Sequence, residues 1–323
     1  MKVIEILSMI DDPSKRGEVA DYINNHESEY SKLIDAAFSQ SADGMEETRR
    51  RLLDLVDLLN QRIATEIIEH AIFDTDANIR IRGLKAAYRN MVDILNEELL
   101  CILDDRKSDF EARKWIVHIL ATTDSETFGR RLRSLARNHD EGIEIRKEAI
   151  FALTNVADDE SLGTLCAVLG DSEVEIRRSG AWALSKLGDN STINCLFAAL
   201  EDEDSKVRDW AIRALRDMDD ARALQGLADA LHSVEPEEQI RMIRLVVEKR
   251  SEIILRAIAE LLSSPDTEVR RVAAWAMGVS PYPPAAGSLE ALSDDEDEQT
   301  RYYAKAALRR LGSVDPSDFG LVL

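Results

Sequence analysis

The side chains best suited to recognition chemistry are tryptophans and basic residues that recur at fixed distances from a repeated arginine. Aromatic residues make up only 5% of the chain, yet Trp115 and Trp210 follow such an arginine by two positions, and Trp182 and Trp275 follow one by five. Offsets that are three positions apart share one face of a helix. The same face carries the further residues Lys114, His118, Lys147, Phe151, Arg178, Lys186, Arg213, Arg271 and Tyr303. Because tryptophan and arginine are enriched at binding hot spots, the pattern indicates a binding face, although packing between adjacent helices would place tryptophans in the same way.

The repeated arginine marks an internal repeat. It lies in a phrase of acidic loop, aliphatic residue, arginine and then small and aliphatic residues, as in 171–184, 203–215 and 265–276. The markers are Arg16, Arg49, Arg80, Arg113, Arg146, Arg177, Arg208, Arg241, Arg270 and Arg301, of which Arg16, Arg49 and Arg241 lie in degenerate copies. The successive intervals are 33, 31, 33, 33, 31, 31, 33, 29 and 31 residues. A series this regular predicts a repeat protein.

Each repeat is predicted to contain two helices. The apolar positions around the marker form one stripe of a 3.6-residue helix, which we call helix B, for example Val174 to Leu187 and Lys206 to Arg216. Gly188 suits the C-cap of helix B, and the polar residues after it suit the start of a shorter apolar helix A, such as Thr192 to Leu200 or Leu224 to Leu231. No segment alternates with period two, so we expect no strand. Stacking of the helix pairs would build one continuous core.

The repeat phrase resembles the short HEAT-like repeat first recognised in phycobilin lyases, because Ala181-Trp-Ala-Leu-Ser-Lys-Leu-Gly-Asp189 matches that consensus closely. The resemblance covers nearly the whole chain. It implies an all-α fold, a solenoid with a right-handed superhelix of about ten helix-pair repeats of about 31 residues. We expect one solenoid over 1–311, with 1–60 as degenerate capping repeats. A C-terminal tail, 312–323, would fold back over the last helix pair or act as a docking motif.

The resemblance also implies roles for the marker arginines and for helix B. In repeats of this kind the arginine forms a structural ladder with loop carboxylates, here Asp171, Asp202 or Asp266, rather than an anion-binding site. Bidentate pairing between guanidinium and carboxylate suits that role. Helix B lines the concave side of such solenoids. The aromatic and basic residues from about Arg113 to Tyr303 would therefore line an inner surface.

Catalytic and metal-binding patterns are missing from the sequence. The helical-repeat deoxyhypusine hydroxylases need several His-Glu pairs for a di-iron site, whereas His26-Glu27 is the only such pair here. The acid runs 201–204 and 294–298 suggest calcium, but a solvated turn before a helix explains them better. The three cysteines Cys101, Cys166 and Cys195 lie far apart in apolar stretches, where free cysteines act as small hydrophobic residues. We therefore expect no catalytic residue, no metal and no cofactor.

Charge and hydropathy restrict the partners and the location. The net charge of −21 argues against broad binding to nucleic acid, because that affinity requires neutralisation of phosphates by Lys and Arg. No apolar run is long enough to span a membrane, and the N-terminus lacks the pattern of a signal peptide. These observations predict a cytoplasmic protein that binds no membrane.

Three functions are consistent with the sequence. The first is a non-catalytic interaction scaffold that holds a protein partner along helix B. The second is a phycobilin-lyase-like protein that holds a tetrapyrrole and delivers it to a client, as the repeat resemblance implies. The third is a nucleic-acid-handling enzyme, because some DNA-repair glycosylases are HEAT-like solenoids with a basic, tryptophan-lined groove. We favour the scaffold.

Overall fold

A computed structural model describes residues 9–39, 44–92, 97–122 and 126–312. These residues form nineteen α-helices and eight short 3-10 segments, with no strand among them. The all-α solenoid of helix pairs expected from the repeat is therefore confirmed. The predicted tail from residue 313 onward lies outside the described residues. The chain divides into two compact units, residues 1–161 and 162–323.

The helices of the first unit alternate between B helices, which carry odd numbers, and A helices, which carry even numbers. They are α1 Arg16–Asn25, α2 Glu27–Phe38, α3 Glu46–Leu55, α4 Gln61–Ala71, α5 Ala77–Arg89, α6 Glu97–Asp104, α7 Phe110–Thr122, α8 Glu126–Arg137 and α9 Ile143–Val156. Each of the B helices α5 and α7 packs on the next B helix, and α2 packs on α4, which is the next A helix. Each hairpin thereby buries its apolar stripe against its neighbours.

The second unit continues the alternation, and α10 Asp159–Ala167 contains the division between the units. The remaining helices are α11 Val174–Leu187, α12 Ile193–Ala199, α13 Ser205–Asp217, α14 Ala221–Ser233, α15 Pro236–Val246, α16 Glu252–Glu260, α17 Thr267–Val279, α18 Ala286–Leu292 and α19 Glu298–Leu311. The bounds predicted for α11 agree with the structure, and those for α13 differ by one residue at each end. Helix α12 begins later than predicted because a 3-10 turn precedes it, and α14 is longer than predicted.

Acidic loop residues begin the B helices by capping free backbone N–H groups. The carboxylates of Asp76, Asp204, Asp266 and Asp297 accept hydrogen bonds from the N–H groups of the first turn of the helix that follows each of them. At the other end of α11, Gly188 adopts the left-handed conformation, with φ of 61°, as predicted for a C-cap. The acidic turns are therefore part of the helix-forming signal.

The residue three positions after the marker lies where helix B crosses the preceding helix A. It is buried Ala149, Ala211 or Ala273 in three repeats and Gly83 in another. A Cβ added to Gly83 would lie 2.8 Å from the Cβ of Ala71 and 2.9 Å from its carbonyl carbon. The close approach of α5 to the end of α4 therefore requires glycine at this position.

Two of the cysteines are joined, which the sequence did not predict. Cys166 in α10 and Cys195 in α12 form a disulfide, with a Cα–Cα distance of 5.6 Å. They occupy neighbouring A helices of successive repeats, and stacking brings residues that are 29 positions apart into contact. The expectation that all three cysteines are free and act as small hydrophobic residues was wrong. Cys166 and Cys195 are joined, and Cys101 is free but exposed. Disulfides persist mainly in oxidising compartments, so the cytoplasmic location remains a prediction.

Candidate protein-binding face of the B helices

The marker arginines form the structural ladder that the repeat implied. In eight of the ten B helices the marker is the fourth helical residue. Arg177 is typical: its Nε and Nη2 donate to the carboxylate of Asp202 at 2.8 and 3.2 Å, and its Nη1 donates to the backbone carbonyl of Asp171 at 3.0 Å. Arg208 and Arg270 likewise tie the loop before their own helix to an acidic residue of the next repeat. The predicted partner Asp202 is confirmed, Arg177 also contacts the backbone carbonyl of Asp171, and Asp266 caps α17.

The marker assigned to Arg241 was wrong. The fourth residue of α15 is Gln239, and Arg241 is the sixth. With Gln239 as the marker, the interval from Arg208 and the interval to Arg270 are both 31 residues, instead of 33 and 29. Glutamine lacks a guanidinium, so Gln239 donates a single hydrogen bond to the carbonyl of Leu231 at 2.9 Å. Arg241 instead reaches back and binds Asp209, with Nε–Oδ1 at 2.7 Å.

Two predicted binding residues belong to a second ladder, one position after the marker. Arg178 donates to Asp204 with Nε–Oδ1 at 2.8 Å, and Arg271 donates to Asp297 with Nε–Oδ2 at 3.1 Å. The hydrogen bonds from Arg178 hold the pKa of the Asp204 carboxyl well below its usual range. Those from Arg271 lower the pKa of Asp297 to about 2. These arginines therefore support the next helix cap.

In the first unit, the predicted residues Trp115 and His118 lie within an aromatic cluster. The Trp115 ring centroid is 5.2 Å from that of His118 and 5.6 Å from that of Tyr88 in α5. Lys85 Nζ lies over the indole at 5.5 Å. His118 Nε2 contacts the Glu148 carboxylate at 2.9 Å. These aromatic and charged contacts therefore link α5, α7 and α9 to one another.

Two further predicted residues of the first unit, Lys147 and Phe151, lie on α9. Lys147 binds Glu144 one turn earlier, with Nζ–Oε1 at 3.0 Å. Phe151 is exposed, at 36% relative accessibility. It occupies offset five from its marker, which is the offset of His118 in the preceding repeat. Sequence reasoning did not identify Tyr88 or Lys85, whose contacts with Trp115 come from the previous repeat.

In the second unit, tryptophans and cations meet on the surface of the B helices. Lys186 Nζ lies 5.9 Å from the ring centroid of Trp182, one turn earlier in α11. The Arg213 guanidinium lies 5.8 Å from the ring centroid of Trp210 in α13. Both indoles are partly exposed. Cation–π contacts of this kind hold the charge close to an aromatic face without neutralising it.

The remaining predicted residues lie on the last two B helices. Trp275 in α17 and Tyr303 in α19 are both partly exposed. Tyr303 contacts the neighbouring Tyr302 edge to face, with ring centroids 5.5 Å apart, and Tyr302 itself is 67% exposed. The face of the second unit therefore presents aromatic side chains on α11, α13, α17 and α19.

Sequence reasoning missed Arg244 because it followed the wrong marker in α15. Counted from Gln239, Arg244 occupies offset five, the same position as Trp182, Arg213 and Trp275 in the neighbouring repeats. Arg244 is exposed. The constant 31-residue interval is the signal that would have identified it. We define the B face of the second unit as Trp182, Lys186, Trp210, Arg213, Arg244, Trp275 and Tyr303.

A cavity of about 190 Å³ lies elsewhere, between the A helices α14 and α16. Asp229, His232, Arg256 and Glu260 line part of it, and His232 Nε2 is 3.1 Å from Glu260 Oε2. No predicted site residue contributes to this cavity.

The acidic runs serve the ladders. Asp202 and Asp204 bind Arg177 and Arg178, and Asp295 and Asp297 bind Arg270 and Arg271 in the corresponding later repeat. Within the part of the chain that the structure describes, no group of three or more His, Cys, Asp or Glu side chains is arranged to hold a metal ion. Among the same residues, none of the helices combines the length and apolar content required to cross a bilayer.

Helix pairs stacked through arginine ladders define an α-solenoid repeat protein. The chain belongs to the HEAT-repeat family, since the family model described as HEAT repeats matches residues 96–185, 130–216, 165–238 and 224–309. A search of curated proteins returned no match.

Two solved structures of Kap95 share the fold. The chain is similar to the Kap95 protein of a Kap95:Nup1 complex, with 11% identity, a TM-score of 0.59 and coverage of 96% of this chain and 51% of that one. It is similar to Kap95p bound to RanGDP, with 10% identity, a TM-score of 0.57 and coverage of 96% and 50%. The chain thus spans about half the length of these proteins. Human deoxyhypusine hydroxylase aligns at 20% identity over 77% of this chain and 96% of its own, with a TM-score of 0.35.

Proposed function

We propose that the protein is a non-catalytic scaffold that holds a protein partner on its B helices. The observation that carries this proposal is the pairing of partly exposed tryptophans with cations on successive B helices of the second unit. Tryptophan and arginine are enriched among the residues that contribute most to the binding energy of protein interfaces. The Kap95 structures are complexes with other proteins, which supports the use of this fold for binding.

The ladders support this assignment of the surface. They engage Arg177, Arg178, Arg270 and Arg271 in holding the repeats together. The cations of the B face do not take part in these ladders. Among the described residues, neither Lys186 nor Arg213 forms an ion pair. We also propose that 1–311 acts as one solenoid capped by 1–60, with the B helices on its concave side, and that the protein is cytoplasmic.

An affinity pull-down from the lysate of the source organism tests the proposal. The bait proteins are the wild type, a Trp182→Ala/Trp210→Ala variant and a Phe73→Ala variant. Phe73 is a matched control, because it is an exposed aromatic residue, at 38% accessibility, that lies outside the B helices. Circular dichroism confirms that all three baits are helical. We expect a protein that the wild type and Phe73→Ala retain and that the double variant loses.

Two results would contradict the proposal. Equal retention by all three baits would show that Trp182 and Trp210 serve packing only. Elution of a coloured wild-type protein with no retained polypeptide would favour the tetrapyrrole-binding alternative, and added biliverdin would then shift a visible absorption band.

A further inference from the structure

The B face of the second unit has an order along its repeats. At offset five from the marker, four consecutive repeats carry Trp182, Arg213, Arg244 and Trp275. All four side chains lie on B helices, α11, α13, α15 and α17, and each of these helices packs on the next. The column therefore presents two guanidinium groups between two indoles.

The two central arginines differ from the other arginines near them. Arg177, Arg178, Arg208, Arg270 and Arg271 each bind a carboxylate of the following repeat. Among the residues that the structure describes, neither Arg213 nor Arg244 forms an ion pair, although the chain has 62 acidic residues for 41 basic ones. The reason is local. A carboxylate beside Arg213 would have to come from offset two of the next repeat, but that position holds Arg241. The corresponding position beside Arg244 holds the buried Val272.

Helix packing fixes the separation of these groups. Packed helices lie about 8–10 Å apart, so equivalent positions on successive B helices have about that spacing. An extended peptide in the polyproline II conformation advances about 3.1 Å per residue with three residues per turn, so three residues cover one repeat and every third side chain lies on the same face. A peptide lying across the B helices would thus meet one side chain of the column at every third residue.

We propose that the B face of the second unit binds an extended acidic peptide segment of a partner protein. In this segment two carboxylates lie three residues apart, with an apolar side chain three residues before the first and another three residues after the second. The carboxylates meet Arg213 and Arg244 as charge-assisted, bidentate hydrogen bonds. The outer apolar side chains pack on Trp182 and Trp275. This proposal rests on the proposed scaffold function and names the chemistry of its partner.

A polypeptide fits this surface better than a nucleic acid does. A nucleic acid strand presents a phosphate at every nucleotide and gains affinity from many cations, whereas this protein carries a net charge of −21. Two unpaired guanidinium groups match two isolated carboxylates. The net negative charge of the protein would repel the remaining phosphates of a strand but not the neutral residues of a peptide.

Fluorescence anisotropy with a defined peptide tests the proposal on the full chain. The probe is fluorescein-labelled Phe-Ser-Gly-Asp-Ser-Gly-Asp-Ser-Gly-Leu, and the control peptides carry Asn for both Asp residues or place the two Asp residues side by side. The protein variants are Arg213→Gln/Arg244→Gln and a matched control, Arg250→Gln/Arg309→Gln. The control makes the same change of charge at two exposed arginines that lie outside the column.

We expect the Asp peptide to bind, and both control peptides to bind at least tenfold more weakly, because two charge-assisted hydrogen bonds are lost or misplaced. Arg213→Gln/Arg244→Gln should weaken binding at least tenfold, and Arg250→Gln/Arg309→Gln should change it less than about twofold. Higher salt should weaken binding of the Asp peptide to the wild type.

Several outcomes overturn the proposal. They are equal weakening by both double variants, no preference for the Asp spacing, no anisotropy change of the labelled Asp peptide up to about 1 mM protein, and tighter binding of a single-stranded oligonucleotide of equal length. Self-association of the wild type that Arg213→Gln/Arg244→Gln abolishes would instead assign the face to a second copy of the chain. If the peptide fails while the Trp182- and Trp210-dependent partner is still retained in the pull-down, the acidic-peptide assignment is wrong and the scaffold function stands.

Discussion

The two units use the same two offsets of helix B in opposite ways. In the first unit, a residue at offset five contacts the residue at offset two of the next repeat. Asp54 binds Arg82, with Oδ1–Nη1 at 2.9 Å, and His118 contacts Glu148 at 2.9 Å. Lys85 at offset five likewise lies over Trp115 at offset two of the next repeat, so these two offsets join consecutive repeats of the first unit.

The second unit breaks this complementarity. Arg213 precedes a repeat with Arg241 at offset two, and Arg241 is bound to Asp209 of α13. Trp182 and Trp210 pair with a cation on their own helix instead of an acid on the next. The residue at offset two therefore differs between the units, because Arg82 and Glu148 contact offset five of the preceding repeat, whereas Arg241 does not bind Arg213.

The buried ladder of the first unit should show the largest effect on stability. Arg113 donates to both oxygens of Glu141, at 3.1 and 2.7 Å, and both residues are buried. Burial alone would raise the pKa of Glu141, but the hydrogen bonds from Arg113 and from the Gly142 N–H outweigh it and lower the pKa. We expect Arg113→Met to reduce the free energy of unfolding by about 3–5 kcal/mol, because it leaves a buried carboxylate unpaired.

The matched control for Arg113→Met is Arg271→Met in the second unit. Its ion pair with Asp297 is more exposed, with side-chain accessibilities of 26% and 23%, and such pairs contribute about 0–1 kcal/mol. Urea denaturation followed by circular dichroism measures both variants. Equal losses of stability would mean that the buried Arg113–Glu141 pair and the partly exposed Arg271–Asp297 pair do not differ in their contribution to stability.

The glycines of the helix crossings should show an intermediate effect. In Gly83→Ala, the new Cβ would meet the backbone of Ala71, which cannot move aside, so we expect a loss of about 1–3 kcal/mol. In Gly180→Ala of the second unit, the new Cβ would meet the Cγ2 of Val168 at 2.7 Å, and a side chain can adjust at a smaller cost.

Gly163→Ala serves as the control for both glycine variants. No atom lies within 4 Å of a Cβ added to Gly163, in the middle of α10. Alanine should therefore stabilise this helix by up to about 1 kcal/mol through its higher helix propensity. Thermal denaturation of the three variants tests the order, and a loss at Gly180→Ala as large as that at Gly83→Ala would contradict it.

The sequence predicted those features that repeat locally. Helix α11 was assigned from its apolar stripe and from Gly188, and the Arg177–Asp202 pair followed from the ladder that the repeat implies. These features depend on residues close in sequence or on a rule common to all copies. The fold was therefore predictable in full outline.

The rest depended on register and on contacts between repeats. Arg241 was mistaken for the marker because it carries the expected side chain, whereas Gln239 holds the expected position. The disulfide between Cys166 and Cys195 and the contact of Tyr88 with Trp115 join different repeats, and only the stacking geometry brings them together. For the same reason Arg244 was missed as part of the B face.

The smallest effects on stability should distinguish the B helices of the two units most directly. Glu148 in the first unit lies 2.9 Å from His118 Nε2 and 3.4 Å from Lys114 Nζ. Glu148→Gln removes the charge that these contacts use, so we expect the free energy of unfolding to fall by about 0.5–1 kcal/mol, and by less at high salt.

Arg244→Gln removes a charge without an internal partner among the described residues. The free energy of unfolding should then change by no more than about 0.5 kcal/mol. Urea titrations at low and high salt measure both variants, and a salt-dependent loss in Arg244→Gln equal to that in Glu148→Gln would show that Arg244 serves the fold rather than a partner.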